Sequence, residues 1–319
     1  MRDSGNAFLF FCPGFLCSLG AVLGILLIAA PALIPGPAQA EPSAAVLTQG
    51  QAQTEPPCDN PFIFKDSEYA FSYLRVLGPA PVGGADLGEF VTAAGQIKEG
   101  DGETWYEAWF GMGGHVDGLA REFLKNGHEI SAREAFLRAS NYYGISLVPL
   151  MATPKDPRVF NSWKKHHDSF NQAVKLSGGL IQPVKIPYEK TTLPGYFCLV
   201  DKSGKKRPLL IAHTGLDGSA EEIYFAIAVN ALKRGYNCLV FDGPGQGQVI
   251  FEQGIPFRPD WEKVITPVVD FALTRPEVNP DRIALIGFSM GGYFAPRAVA
   301  FEHRLKACIA NSGVYMTAP

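Results

Sequence analysis

A glycine-flanked serine places the strongest constraint on how this chain can fold. The pentapeptide Gly287-Phe288-Ser289-Met290-Gly291 follows an apolar run at residues 282–286 that is typical of a buried strand. A helical pattern begins directly after it, over residues 292–302. Strand, tight turn and helix in this order predict a nucleophile elbow, in which the flanking positions must be glycine because a side chain would clash there. The alternative is an ordinary glycine-rich turn between a strand and a helix.

A serine in such an elbow is suited to nucleophilic chemistry. The turn pushes the hydroxyl of Ser289 out over the edge of the sheet. It also places that hydroxyl at the N-terminus of a helix, whose dipole favours developing negative charge. Ser289 is therefore the candidate catalytic nucleophile.

The second half of the chain alternates between short β-rich runs and helical patterns. The predicted strands cover residues 184–188, 196–200, 209–213, 237–241, 282–287 and 307–310, and the predicted helices cover residues 220–234, 259–274 and 291–302. Two early runs joined by a turn at residues 201–204 indicate an antiparallel start to a mainly parallel sheet. The sequence thus predicts an α/β core over residues 181–319.

The first half of the chain has a different pattern of apolar residues. Residues 62–180 show apolar residues at three- and four-residue spacing, which predicts helices, and the pattern changes near Gly178-Gly179. In the last of these helices the expected buried stripe consists of Trp163, Phe170, Ala173 and Val174. Residues 41–61 are rich in Pro, Gln, Ala and Thr and are predicted to be a linker.

The N-terminal 40 residues are predicted to be a targeting segment. Residues 7–34 carry no charge, and the ending Ala38-Gln39-Ala40 suits a signal peptidase. The apolar stretch is also long enough to span a bilayer. The segment is therefore expected to be a cleaved export signal or a membrane anchor through residues 7–34, and the remaining alternative is that it is neither. Either one predicts an exported protein, periplasmic or extracellular, or an anchored protein with an external catalytic domain.

Composition excludes several classes of protein. Hydrophobic residues make up 47% of the chain, which argues against disorder. The net charge is −3, and no basic run is longer than Lys205-Lys206-Arg207, so nucleic acid is not an expected partner. Cys198, Cys238 and Cys308 lie in apolar runs and are expected to be small buried hydrophobes.

Neither a metal nor a cofactor is expected from the motifs. His166 and His167 are adjacent, so on a helix they point about 100° apart and cannot share a metal. The loop at residues 242–247 has Gln at position 248, where a dinucleotide-binding loop needs glycine. The glycines at residues 111–114 fail the same pattern.

Taken together, these motifs resemble the α/β-hydrolase superfamily. Within it the chain is most similar to the branch of 2,6-dihydropseudooxynicotine hydrolase, the fermentation-respiration switch protein and the fungal pigment polyketide-shortening hydrolases. The resemblance runs from about Trp105 to the end of the chain. It is carried by residues 138–143 (RASNYY), 241–247 (FDGPGQG), 260–263 (DWEK), 275–278 (RPEV) and the elbow with Tyr293, Ala295, Pro296 and Arg297 behind it.

The resemblance implies an N-terminal helical cap over a hydrolase core, a Ser-Asp-His triad and no cofactor. The substrate would be a small carbonyl compound, cleaved at a C–C bond beside the carbonyl or at an ester or related acyl bond. Met290 would give one oxyanion N–H, and the loop after residues 209–212 would give the other, from Gly215 or Leu216. His213 is expected to support this loop rather than to act as a catalytic base.

One departure from the family pattern affects activity. The triad acid and histidine should follow the serine, yet only thirty residues come after Ser289. The one downstream histidine, His303, falls in the helix after the elbow and faces the wrong end of the sheet. We therefore expect a truncated, C-terminally incomplete core with strand 307–310 at an unpaired edge, and a weak or inactive enzyme. The alternative is a non-catalytic exported or anchored binding protein with a hydrolase-like fold.

Overall fold

A computed structural model describes residues 7–10 and 64–311 of the chain. Its first five helices are α1 (Ser67–Leu77), α2 (Leu87–Ala94), α3 (Gly102–Lys125), α4 (Glu129–Ser146) and α5 (Pro157–Lys175), with 3₁₀ turns at Ala80–Val82 and Val148–Ala152. The strands are β1 (Ala7–Phe10), β2 (Ile181–Tyr188), β3 (Thr191–Cys198), β4 (Arg207–His213), β5 (Asn237–Phe241), β6 (Val278–Phe288) and β7 (Ala307–Asn311). The helices among the strands are α6 (Ala220–Ile223), α7 (Val229–Lys233), α8 (Gly247–Gln253), α9 (Glu262–Leu273) and α10 (Gly291–Val299).

Aspartate side chains start four of the five helices in the N-terminal helical region. The carboxylates of Asp66, Asp86, Asp101 and Asp156 each accept hydrogen bonds from backbone N–H groups of the first helical turn. Such caps satisfy N–H groups that have no partner within the helix. The predicted apolar stripe of α5 is confirmed, since Trp163, Phe170, Ala173 and Val174 are all buried.

Helices α3 and α4 pack closely at a glycine. A Cβ atom at Gly113 would lie 2.8 Å from Cδ1 of Tyr143, a buried side chain of α4. Gly111 lies on the same helix and is exposed. No atom lies within 4 Å of the position that its Cβ atom would take. Of the glycines at residues 111–114, Gly113 is therefore the one that the packing of α3 against α4 requires.

This contrast gives a paired prediction. Gly113→Ala should lower the free energy of unfolding by about 1–3 kcal/mol because Tyr143 must move. Gly111→Ala should raise it by roughly 0.5–1 kcal/mol, because alanine is the better helix former and meets no neighbour. Urea denaturation of the two variants measures both effects, and shifts of the same sign would contradict the packing described here.

The sheet confirms the predicted α/β class. Its strand order is β1-β7-β6-β4-β5-β3-β2, with β4, β5, β6 and β7 parallel to one another and the β2–β3 pair antiparallel. Strand β3 is also antiparallel to β5. One apolar cluster joins the helical region to one face of the sheet, and a second cluster with α9 and α10 covers the other face. The predicted boundary near residue 180 falls between α5 and β2.

Two local predictions differ from the structure. The hairpin between β2 and β3 turns at residues 189–190, where Tyr188 pairs with Thr191 and Glu189 takes a φ of 46°. Residues 201–204 instead lead from the end of the hairpin into β4. The sequence does not indicate the turn at residues 189–190, because glycine or asparagine usually occupies a left-handed backbone position and neither is present there.

The second difference concerns the edge of the sheet. Strand β7 was expected to be unpaired, but it pairs in parallel with β1, with Ala7 opposite Ala307 and Phe10 opposite Ala310. An open edge leaves backbone N–H and C=O groups without partners, and an extended segment can satisfy them. The other residues of the predicted targeting segment, and the predicted linker at residues 41–61, lie outside the described part of the chain.

The cysteine prediction is confirmed for the three described cysteines. Cys198, Cys238 and Cys308 are buried and free. Burial raises the pKa of Cys198 to about 12 and that of Cys308 to about 11, so both are neutral thiols at pH 7. Within residues 64–311, no helix combines the length and the apolar character needed to cross a bilayer.

Candidate active site

Ser289 lies in a strained turn between β6 and α10. Its φ is +58°, and Glu189 is the one other described non-glycine residue with a positive φ. Such a conformation costs on the order of 1–3 kcal/mol and persists where the surroundings enforce it. The residue is exposed, as the nucleophile-elbow prediction requires.

The glycines on either side of the turn are sterically required. A Cβ atom at Gly287 would lie 1.9 Å from the carbonyl oxygen of Gly291, and one at Gly291 would lie 2.5 Å from the carbonyl oxygen of Thr214. Real Cβ atoms do not approach backbone this closely. The spacing of the pentapeptide is thus explained by contacts within the turn and with the loop after β4.

That loop carries the other predicted oxyanion donor. A Cβ atom at Gly215 would lie 2.7 Å from the nitrogen of Met290 and 3.0 Å from Cβ of Ser289. Among residues 64–311, the N–H groups of Gly215, Leu216 and Met290 have no hydrogen-bond acceptor. The structure therefore brings three of the predicted site residues, Ser289, Met290 and Gly215, into contact, with Leu216 following in the loop.

The two histidines nearest to the elbow in sequence have different surroundings. His213 is fully buried, and its Nδ1 donates to the carbonyl oxygen of Thr214 at 3.0 Å. Burial lowers the pKa of His213 to about 4, so its imidazole is neutral at pH 7. His303 is exposed and follows the nine-residue α10, so it lies roughly 13 Å or more from the elbow. Of these two histidines, His213 is the one that contacts the oxyanion loop, through Thr214.

A buried polar cluster lies where the helical region meets the core. Nδ1 of His167 donates to Oε1 of Glu221 at 2.7 Å, and the hydroxyl of Tyr196 donates to the same oxygen at 2.9 Å. Nε2 of His166 lies 3.7 Å from Oε2 of Glu221 and 3.0 Å from Oγ of Ser219. Both imidazoles of the adjacent pair therefore reach one carboxylate, although their side chains leave α5 in different directions.

The charges of this cluster are strongly coupled to their surroundings. Burial alone would raise the pKa of Glu221, but the hydrogen bond from His167 and the two nearby imidazoles hold it well below its usual range. Burial by itself would lower the pKa of His167. The hydrogen bond to Glu221 and the charge of that carboxylate together have a larger effect, so the pKa of His167 is raised. Glu221 is therefore an ionised carboxylate inside the protein. No pattern in the sequence points to Glu221, because its partners are distant in sequence.

Asp242, at the end of β5, is the second buried carboxyl of this region. Its Oδ1 accepts from the N–H of Ala220 at 2.7 Å, and its Oδ2 accepts from the N–H of Gln248 at 2.9 Å. Burial and the charge of Glu221 raise the pKa of Asp242 to about 7.

An arginine of the helical region forms ion pairs with the loop after β4 and with α6. Arg75 of α1 binds both carboxylate oxygens of Glu222, with its Nε 2.5 Å from Oε1 and its Nη2 2.7 Å from Oε2. Its Nη1 donates to Oδ2 of Asp217 at 2.6 Å. Since Asp217 follows Leu216 directly, the single bond from Nη1 links α1 to the predicted oxyanion loop, and the bidentate contact with Glu222 links α1 to α6.

A cavity of about 500 Å³ lies between the helical region and the loops of the core. Its walls include the apolar side chains of Val148, Phe160, Trp163, Phe225 and Ile250, together with Leu216 of the oxyanion loop. Pockets of this size and character are typical of small-molecule sites. Residues 64–311 contain no group of three or more His, Cys, Asp or Glu side chains that could hold a metal.

The fold and the elbow together define a protein of the α/β-hydrolase class. Residues 209–319 match the Alpha/beta hydrolase family. The sequence-based resemblance to the α/β-hydrolase superfamily is thereby confirmed.

Relatives of this chain come from fungi. Alpha/beta hydrolase gkaG of Penicillium citrinum is 40% identical over 252 residues, which cover 76% of this chain and 58% of the relative. 20-hydroxy-prefusarin hydrolase FUS2 of Gibberella moniliformis is 38% identical over 259 residues, covering 79% and 62%. The chain thus spans about three-fifths of the length of these relatives. Their names support hydrolase activity for the family to which the chain is similar.

A solved structure supports the fold independently. The 2,6-dihydroxy-pseudo-oxynicotine hydrolase superposes with a TM-score of 0.62 at 24% identity, covering 72% of this chain and 62% of that one. At this identity the likeness concerns the fold.

Proposed function

We propose that this chain is a serine hydrolase that acts by acyl transfer on a carbonyl substrate. The observation that carries the proposal is the exposed Ser289 at a φ of +58°, in contact with Gly215 and followed by the free N–H of Met290. Strain at a single exposed serine is expected where the position of a hydroxyl matters for chemistry.

In the proposed mechanism the oxygen of Ser289 attacks the substrate carbonyl. The N–H of Met290 and that of Gly215 or Leu216 then stabilise the oxyanion, and loss of one such donor typically costs on the order of 3 kcal/mol of barrier. The oxyanion then collapses and the bond to the leaving group breaks, with the leaving group taking up the proton that the serine has lost. In a second step water hydrolyses the ester formed with Ser289, which frees the serine and releases the acyl group as a carboxylic acid. The bond cleaved is a C–C bond beside the carbonyl, or an ester or related acyl bond.

The serine also needs a base that accepts its proton. Within residues 64–311, His213 is buried with its Nδ1 committed to Thr214, and His303 lies at the far end of α10. We therefore propose that residues 64–311 do not supply the general base, and that they react slowly without it.

We further propose that the helical region acts as a cap that selects the substrate in the 500 Å³ cavity. Leu216 is the one predicted site residue in the cavity wall, and Ser289, Met290 and Gly215 lie outside it, so the substrate would have to extend from the cavity to the elbow.

Most of the charge at the wall of the cavity is paired: Arg75 binds Asp217 and Glu222, and Asp156 binds Arg158, which leaves the exposed Lys155 at the rim. This pairing favours a neutral substrate over a charged one. The names of FUS2 and of the pseudo-oxynicotine hydrolase support a small organic molecule as the substrate class. We also propose export or membrane anchoring through residues 7–34; either one would take residues 7–10 out of their pairing with β7.

Covalent labelling with a fluorophosphonate tests the nucleophile. We expect slow labelling that peptide mass spectrometry maps to Ser289 and that Ser289→Ala abolishes. Ser203→Ala is the matched control, since Ser203 is an exposed serine in a surface turn, and it should label like the unsubstituted chain. Equal labelling of Ser289→Ala, or a label on another residue, would contradict the proposal.

The missing base also favours a second candidate function, a non-catalytic binding protein. It would use the same cavity without turning over its ligand. Absence of any Ser289 labelling, together with saturable binding of a small neutral ester that is recovered intact, would favour this alternative.

A further inference from the structure

We propose that Gln246 is a positioning residue that fixes the direction of the N–H groups of Gly215 and Leu216. The inference rests on the proposed function, because it assigns a device that holds the oxyanion site in its working geometry. Gln246 belongs to the loop after β5, which does not fit a dinucleotide-binding loop and has no other role in the mechanism above.

The Gln246 side chain is fully buried and all of its polar atoms are used. Its Nε2 donates to the carbonyl oxygen of Thr214 at 2.6 Å and to that of Gly215 at 3.2 Å. Its Oε1 accepts from the N–H of Gly243 at 3.0 Å. A backbone N–H can only donate and a carbonyl can only accept, so these partners permit one orientation of the amide.

Peptide geometry turns these contacts into control of the N–H groups. In a planar trans peptide, the C=O of one residue and the N–H of the next point in opposite directions. The carbonyl of Thr214 therefore sets the direction of the Gly215 N–H, and the carbonyl of Gly215 sets that of the Leu216 N–H. By binding both carbonyls, Gln246 aims both candidate donors away from itself.

Two neighbouring contacts reinforce this arrangement. Nδ1 of His213 donates to the same Thr214 oxygen at 3.0 Å, and Gly291 leaves room for that oxygen beneath the start of α10. A peptide flip at Thr214 would break both hydrogen bonds to its oxygen, from Gln246 and His213. The loop is therefore held in one of its two conceivable peptide orientations by buried donors.

Gln246→Met tests the inference, because methionine keeps the length of the side chain and lacks both the donor and the acceptor. We expect the first-order rate of phosphonate attachment to Ser289 (kinact) to fall about tenfold to hundredfold, with the probe affinity (KI) unchanged. Gln246→Glu should be slowed as well, because a carboxylate would face two carbonyl oxygens. A merely structural role would not produce this split between kinact and KI at a temperature below the unfolding transition.

Gln248→Met is the matched control, since the Gln248 side chain binds the exposed Glu252 at the surface. It should change kinact by less than about twofold. A crystal structure of Gln246→Met gives the second readout, in which the peptides at residues 214–216 are expected to reorient. An unchanged loop, or an unchanged kinact, would overturn the inference. If the unsubstituted chain does not label at Ser289, the proposed function fails, and the crystal structure still decides the role of Gln246.

Discussion

Gly287→Ala is expected to lower the free energy of unfolding by more than about 4 kcal/mol, or to prevent folding altogether. The new Cβ atom would lie 1.9 Å from the carbonyl oxygen of Gly291 and 2.3 Å from its carbonyl carbon. These are backbone atoms of the same turn, so no side chain can move aside to relieve the clash. The elbow would have to open, and with it the contact between β6, α10 and the loop at Gly215.

Gly118→Ala is the control for the effect of one added methyl group. Gly118 lies on α3 with no atom within 4 Å of its Cβ position, so this variant should be at least as stable as the unsubstituted chain. Urea denaturation and soluble yield measure both variants. A Gly287→Ala protein with an unchanged unfolding midpoint would show that the turn is looser than the structure has it.

The fold was largely predictable because its signals are local. After Asn237 the run of β5 is apolar, and all five of its residues are buried. The apolar stripe of α5 repeats with helical spacing. The elbow carries its own signal, since a side chain at Gly287 would clash with Gly291, within five residues of chain. Such features follow from sequence spacing alone.

The features that were missed depend on contacts between distant segments. From the sequence, Glu221 would be expected to be an exposed residue at the start of a helix. In the fold it is buried and accepts hydrogen bonds from His167 and Tyr196. The sequence around Gln246 does not fit a dinucleotide-binding loop and predicts no role for this residue. Its role follows from the hydrogen bond to Thr214, which only the fold brings close. The partner of β7 was missed for the same reason, because β1 lies about three hundred residues earlier.

The buried carboxyl Asp242 is expected to make stability fall as the pH rises between about 4 and 7. Its pKa in the folded chain is about 7, raised from 3.8 by burial and by the charge of Glu221. Between these two values the folded state keeps a proton that the unfolded state has lost. The stabilisation is therefore complete below the unfolded pKa and is lost as the pH rises through the folded pKa, with a slope of up to about 1.4 kcal/mol per pH unit.

The titration of His167 also lowers the stability of the folded chain as the pH rises, but in a higher pH range. Its pKa is raised above the ordinary value of 6.5, so its contribution is present below pH 6.5 and is lost as the pH rises through the folded pKa. Glu221 acts oppositely. Its pKa is lowered from 4.5, so its contribution is present above pH 4.5 and is lost as the pH falls through the folded pKa.

Asp242→Asn isolates the effect of the first group. Asparagine cannot ionise, and the hydrogen bond that it loses to Ala220 or Gln248 carries a cost that does not depend on pH. The difference in unfolding free energy between Asp242→Asn and the unsubstituted chain should therefore shift in favour of the variant by about 2–3 kcal/mol from pH 5 to pH 7. Above pH 7 that difference should level off.

Urea denaturation at several pH values between 5 and 8 measures this difference directly. His167→Gln serves as the comparison, because glutamine can still donate to Glu221 but does not titrate, so its difference from the unsubstituted chain should change mainly above pH 6.5. A pH-independent difference for Asp242→Asn would mean that Asp242 ionises freely. In that case the carboxylates of Glu221 and Asp242 would coexist in the folded chain, and the two histidines of α5 would have to neutralise both.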